Sequence, residues 1–140
     1  MKVSAKYIEV LVSGLANARE HSAGLANELV EAENHLHLER AKVRVEVANE
    51  LDDTGKPIYK NADMREHAVA ERLQDDEAYQ SVVRLATSKQ NSRILRDCEA
   101  ESYKSIIRLL ASGIEWEGGD EDIEAAINSI RTMAAKEVAK

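Results

Sequence analysis

Two long runs of helical periodicity meet at the one stretch where a helix cannot simply continue. That stretch is Asp52-Asp53-Thr54-Gly55-Lys56-Pro57-Ile58-Tyr59-Lys60-Asn61, and it contains the only proline of the 140 residues. Pro57 has no backbone N–H to donate and pushes the residue before it towards extended conformations. Gly55 can take the positive φ that closes a helix, so two independent local rules demand a turn here. Asn61 is a natural N-cap, and Asp63 and Glu66 follow it near the positive end of a new helix dipole. The sequence therefore predicts an all-α chain built as a long, coiled-coil-like antiparallel helical hairpin over residues 1–112. Its arms run from about 4 to 52 and from about 62 to 112.

The first arm carries its apolar positions at alternating steps of three and four: Leu15, Ala18, Ser22, Leu25, Leu29, Ala32, Leu36. Such spacing marks a seam that faces another helix. It continues as Arg40, Val43, Val47 and Leu51 with one extra step of four, a stutter that relaxes any supercoil locally. Residues 1–13 hold Val3, Tyr7, Ile8, Val10, Leu11 and Val12. A strand there would have no partner, whereas Tyr7, Leu11, Leu15 and Ala18 extend the helical spacing and Ser4 can cap it. Gly14 and Gly24 are the positions where a bend is expected, since each weakens a helix by about 1 kcal/mol relative to Ala. Away from the seam, Glu20, Glu28, Glu31, Glu39, Arg40, Lys42, Arg44 and Glu46 read as a solvated face.

In the second arm Val69, Leu73, Tyr79, Val82, Val83, Leu85 and Ala86 form one apolar group. Ile94, Leu95, Cys98, Tyr103, Ile106, Ile107, Leu109 and Leu110 form another. The polar run Thr87 to Arg93 between them is where an interruption is expected if there is one. Beyond Gly113, residues 113–140 read as a linker with Trp116 and Gly118-Gly119, then a third helix capped by Asp120 or Glu121. Its stripe is Ile123, Ala126, Ile127, Ile130, Met133, Ala134 and Val138, suited to closing a bundle over Ile106–Leu110 and the N-terminal segment, or over a second subunit.

Composition limits what such a chain does. With no Phe, one Trp and four Tyr, its 44% hydrophobic residues suit thin helix-to-helix seams better than a thick core, so self-association as a dimer or higher oligomer is expected. A net charge of −7 argues against a simple duplex-DNA binder. No signal-peptide pattern opens the sequence, and no run approaches the roughly 18 apolar residues of a membrane span. A cytoplasmic protein without membrane contact is the expectation.

Chemistry is sparse. Cys98 is the sole cysteine, which excludes an internal disulfide, and its semi-apolar position with no histidine nearby reads as a buried, inert thiol. Glu31, His35 and Glu39 share a helix face, yet the repeated Glu-x-x-His pattern of a carboxylate di-metal bundle is missing. His35 and His37 point about 200° apart on a helix and cannot share an ion. Gly118-Gly119 lacks the remainder of a nucleotide fingerprint. No catalytic residue, cofactor or metal is assigned.

Residues 78–96 contain no acidic side chain but do contain Arg84, Lys89, Arg93 and Arg96. That run is a candidate track for single-stranded nucleic acid, with Tyr79 or Tyr103 stacking on a base. The rival reading is neutralisation by carboxylates of the first arm, Glu20 and Glu28. A candidate partner-binding surface is the C-terminal group Trp116, Asp120, Glu121, Asp122, Glu124, Ile127 and Ile130.

Glu39-Arg40-Ala41, Glu46-Val47-Ala48, the turn Gly55–Asn61 with Arg65, then Leu73, Asp76, Tyr79 and Arg108-Leu109-Leu110 resemble short helical-hairpin proteins of phage and prophage recombination loci. The likeness covers about residues 25–112. It implies a small accessory protein of a mobile element and carries no catalytic residue. The reading is thus a non-catalytic, oligomeric helical interaction protein of phage or bacterial DNA metabolism with an unidentified protein partner. The alternatives are a single-stranded nucleic-acid-binding recombination mediator and an acidic phage inhibitor of a host nucleic-acid-binding protein.

Overall fold

The computed structural model describes residues 5–111 and 120–138. Four helices account for most of them: α1 (Ala5–Asn49), α2 (Ala62–Asp75), α3 (Glu77–Ala111) and α4 (Asp120–Val138). Among the described residues there is no strand, only an isolated antiparallel bridge between Leu51 and Pro57. The fold is all-helical. The expected cap at Ser4 and the linker 113–119 with Trp116 lie outside the described residues.

The turn after α1 is built on one carboxylate. Asp52 Oδ1 accepts from the Thr54 N–H at 2.9 Å, the Thr54 hydroxyl at 2.6 Å and the Lys56 N–H at 3.0 Å. Gly55 sits at φ 81°, in the left-handed region, and donates its N–H to the Asp52 carbonyl. Asn61 then caps α2, its side chain accepting from the Met64 N–H at 2.8 Å. Just before the turn, Glu50 Oε1 takes a 2.5 Å contact from Arg72 Nη2, which ties the end of α1 to the last turn of α2.

The second arm is not one helix. It breaks at Asp76, whose backbone is extended (φ −82°, ψ 101°), and not within Thr87–Arg93, where α3 runs on unbroken. Asp76 restarts the helix as its N-cap, accepting the Tyr79 N–H on Oδ1 at 3.1 Å. The Gln80 side chain satisfies the Leu73 carbonyl at the end of α2. The physical reason is phase: Leu73 and Tyr79, six residues apart, would point to different sides of a continuous helix, and the break brings both onto one cluster. Within the polar run, the Thr87 hydroxyl donates to the Val83 carbonyl of its own helix, so the segment keeps helical geometry.

The chain divides into two compact units, Glu28–Ser88 and Met1–Asn27 with Lys89–Lys140. In the first, Val47, Ala68, Val69 and Leu73 are buried, with Val43, Tyr59 and Tyr79 packed around them. In the second, Leu11, Tyr103, Ile123, Ile127 and Ile130 form the core, with Tyr7, Val10, Leu15, Ile106, Ile107 and Leu110 against it. The C-terminal helix thus closes over the N-terminal segment and Ile106–Leu110 of its own chain. Ser22, buried on the α1 seam, donates its hydroxyl to Asp97 Oδ1.

Gly14 does not break α1, which is helical from end to end; it admits Tyr103. A Cβ on Gly14 would lie 2.5 Å from Tyr103 Cζ and 2.7 Å from Cε1, and the ring is only 1% exposed. Gly14→Ala is therefore expected to cost about 1–3 kcal/mol in urea denaturation, because the buried ring must shift to admit the added carbon. Gly24→Ala, with nothing within 4 Å of the added carbon, is expected to stabilise by about 0.5–1 kcal/mol.

The Thr54 hydroxyl, and after it the Lys56 N–H, hold the Asp52 carboxyl below its ordinary value of 3.8. A depressed folded value means that this contribution to stability is complete above pH 3.8 and is lost as pH falls through the folded value. The stability gap between the native chain and Asp52→Asn, followed by denaturation from about pH 7 down to about pH 2.5, is expected to shrink only at the acid end.

Candidate functional site

The acid-free run of α3 is less available than its sequence suggests. Arg84 donates to Glu77 Oε1 at 2.6 Å and to the Ser81 hydroxyl at 3.2 Å, both on its own helix. Arg96 pairs with Glu99 at 2.8 Å, and the two side chains are only 16% and 13% exposed. Lys89 is half-buried and engaged. Arg93 differs: its Nε is fully buried and has no hydrogen-bond partner. The carboxylates that hold Arg84 and Arg96 come from just outside the acid-free window, one at each end.

Tyr103 is not a stacking platform. It is a core residue wedged against Gly14, because this face of α3 meets α1 and α4. Tyr79 is half-buried against the Val47–Val69 cluster. The proposed base-stacking aromatics are thereby committed to packing.

The C-terminal group separates in the same way. Ile127 and Ile130 are buried at 4% and 6% exposure, so they seal a core and are no free partner surface. Glu121, Asp122 and Glu124 are exposed; Glu124 accepts from the Tyr7 hydroxyl at 3.4 Å and Asp122 is engaged. Asp120 opens α4, while its side chain and Trp116 lie outside the described residues.

Cys98 is exposed, against the expectation of a buried thiol, because it points away from the α3 face that carries Tyr103. Among the described residues no group of three or more His, Cys, Asp or Glu side chains is arranged to hold a metal ion, and no helix is long and apolar enough to cross a membrane. A cavity of about 380 Å³ lies between α1, α3 and α4, with Lys6, Glu9, Ser13, Asn17, Glu99 and Arg131 in its wall. It holds neither a histidine nor a cysteine, and Glu99 is already neutralised by Arg96.

The surface that sequence reasoning missed is on α1. Val30, Leu38 and Val45 are 54%, 64% and 59% exposed. At about 100° per residue they fall with Asn34, Ala41 and Ala48 inside an arc of about 80°, roughly opposite Leu29, Ala32, Val43 and Val47. The signal was present in the sequence: 34, 38, 41, 45 and 48 are a second run of alternating fours and threes, hidden among the charges of a face read as merely solvated.

No protein-family model matches the chain, and neither a curated protein nor a solved structure is significantly similar to it.

The contrast between two neighbouring arginines is measurable. Arg96→Met strands the mostly buried Glu99 carboxylate and is expected to cost about 2 kcal/mol or more in chemical denaturation. Arg93→Met removes a buried donor that has no acceptor, and is expected to be neutral or stabilising by up to about 1 kcal/mol.

Proposed function

We propose that this chain is a non-catalytic interaction protein: a long helical hairpin that self-associates and presents helix surfaces to a protein partner. The observation that carries the reading is the exposed apolar stripe Val30–Leu38–Val45. Single exposed apolar residues are ordinary on any surface, but a continuous row at seam spacing marks an interaction site. Removing one such side chain fully from water is worth about 1.5–3 kcal/mol, so three of them per chain supply a usable driving force. A role beside phage or bacterial DNA metabolism is drawn from the resemblance of the Glu39–Leu110 motifs alone.

The nucleic-acid reading is weaker, since Arg84 and Arg96 are held by Glu77 and Glu99 and both candidate stacking tyrosines are packed. The acidic-inhibitor reading loses its apolar component, because Ile127 and Ile130 are core.

Light scattering after gel filtration, between about 1 and about 100 µM protein, decides between these readings. The expected outcome is a mass rising above the 15.5 kDa of one chain, and a return to 15.5 kDa in Leu38→Glu with helicity unchanged. A mass of one chain throughout, together with single-stranded DNA binding that falls steeply with salt and vanishes on replacing Arg84, Lys89, Arg93 and Arg96, would favour the nucleic-acid mediator instead.

A further inference from the structure

The geometry of the α1 stripe points to its occupant: we infer that it pairs antiparallel with the same stripe of a second copy, about a two-fold axis beside Leu38. This rests on the self-association reading and adds partner, direction and register to it.

The argument comes from the charges that border the stripe. At about 100° per residue, Glu31 and Lys42 lie along one edge, and Glu33 and Arg44 along the other. Each edge is therefore acidic towards the start of the helix and basic towards its end. A parallel pair would set carboxylate against carboxylate and cation against cation. An antiparallel pair brings Glu31 to the second copy's Lys42, and Glu33 to the second copy's Arg44.

The positions along the stripe agree with the same register. The midpoints of Glu31 and Lys42, Glu33 and Arg44, Val30 and Val45, and Asn34 and Ala41 all fall within one residue of the 37–38 peptide bond. Four pairs chosen on different chemistry thus share one centre. Leu38, at 64% the most exposed large apolar residue among those described, stands beside that axis, where it meets its own symmetry mate.

The present partners of the basic residues do not block the exchange. Lys42 contacts Glu39 at 3.0 Å and Arg44 contacts Glu66 at 3.1 Å, but the two cations are 69% and 53% exposed, and such surface pairs are weak. Glu31 and Glu33 are exposed and carry no ion pair among the described residues. From Val30 to Ala48 the stripe is about 27 Å long, a small interface, so the dimer is expected in the micromolar range and above.

Cysteine crosslinking of the full chain tests it, in a Cys98→Ser background because the native thiol is exposed. At about 100 µM under mild oxidation, Leu38→Cys should form a disulfide dimer. Val30→Cys should crosslink when mixed with Val45→Cys and stay largely uncrosslinked alone. Independently, Glu31→Lys with Glu33→Lys should weaken self-association at least about tenfold, and adding Lys42→Glu with Arg44→Glu should restore it, with helicity checked throughout. Efficient Val30→Cys homodimers would mean a parallel pair and overturn this inference while leaving self-association standing. A dimeric mass with no crosslink in any of these variants would place the interface elsewhere and overturn it likewise. A mass of one chain at every concentration would overturn this inference and the function proposed above together.

Discussion

Both buried clusters of the described structure have α1 on one side of them. Leu11 anchors the unit that α3 and α4 complete, and Val47 anchors the unit that α2 completes. A single helix of 45 residues therefore contributes side chains to each core. Where the chain does use a large ring, it needs an accommodation: Tyr103 is buried only because Gly14 offers a bare backbone for it to lie on. Burial of α1 on one side also explains why its other side keeps an apolar stripe that the described residues leave exposed.

Polar side chains, more than glycine and proline, decide where the helices stop and start. Asp52 gathers three donors to close the turn, Asn61 caps α2, and Asp76 ends one helix and opens the next. Asn61 and Asp76 each offer an oxygen to an N–H group that a helix start leaves without a partner, while Asp52 serves donors of the turn itself. The Asp76 junction shows what such a cap achieves: one residue of extended backbone rephases the apolar pattern, and Leu73 and Tyr79 end on the same core.

Charge follows the same economy of local pairing. Arg84, Arg96 and Lys104 pair with carboxylates of their own helix, so a run that lacks acidic residues is not thereby a free basic surface. The edges of the α1 stripe are different in kind, because their acidic members have no partner within the described chain and their basic members are held only by exposed, exchangeable contacts. That asymmetry is the basis of the proposed pairing with a second copy.

Much of the secondary structure was legible in the order of residues. The turn at Gly55–Pro57, the Asn61 cap, the α1 seam and the presence of a C-terminal helix all follow from short-range backbone chemistry and from a period of 3.6, which a sequence displays directly. The break at Asp76 was encoded too, by Asp before Glu77 and by the phase slip from Leu73 to Tyr79, but it was masked by a long pattern on either side. What only the tertiary structure decided is which apolar and charged residues are already spoken for. Tyr103, Ile127 and Ile130 are core, Cys98 is exposed, and Val30, Leu38 and Val45 are left over. Periodicity marks a face as apolar, while burial depends on whether another element of the chain reaches that face, and among the described residues none covers the Val30–Val45 side of α1.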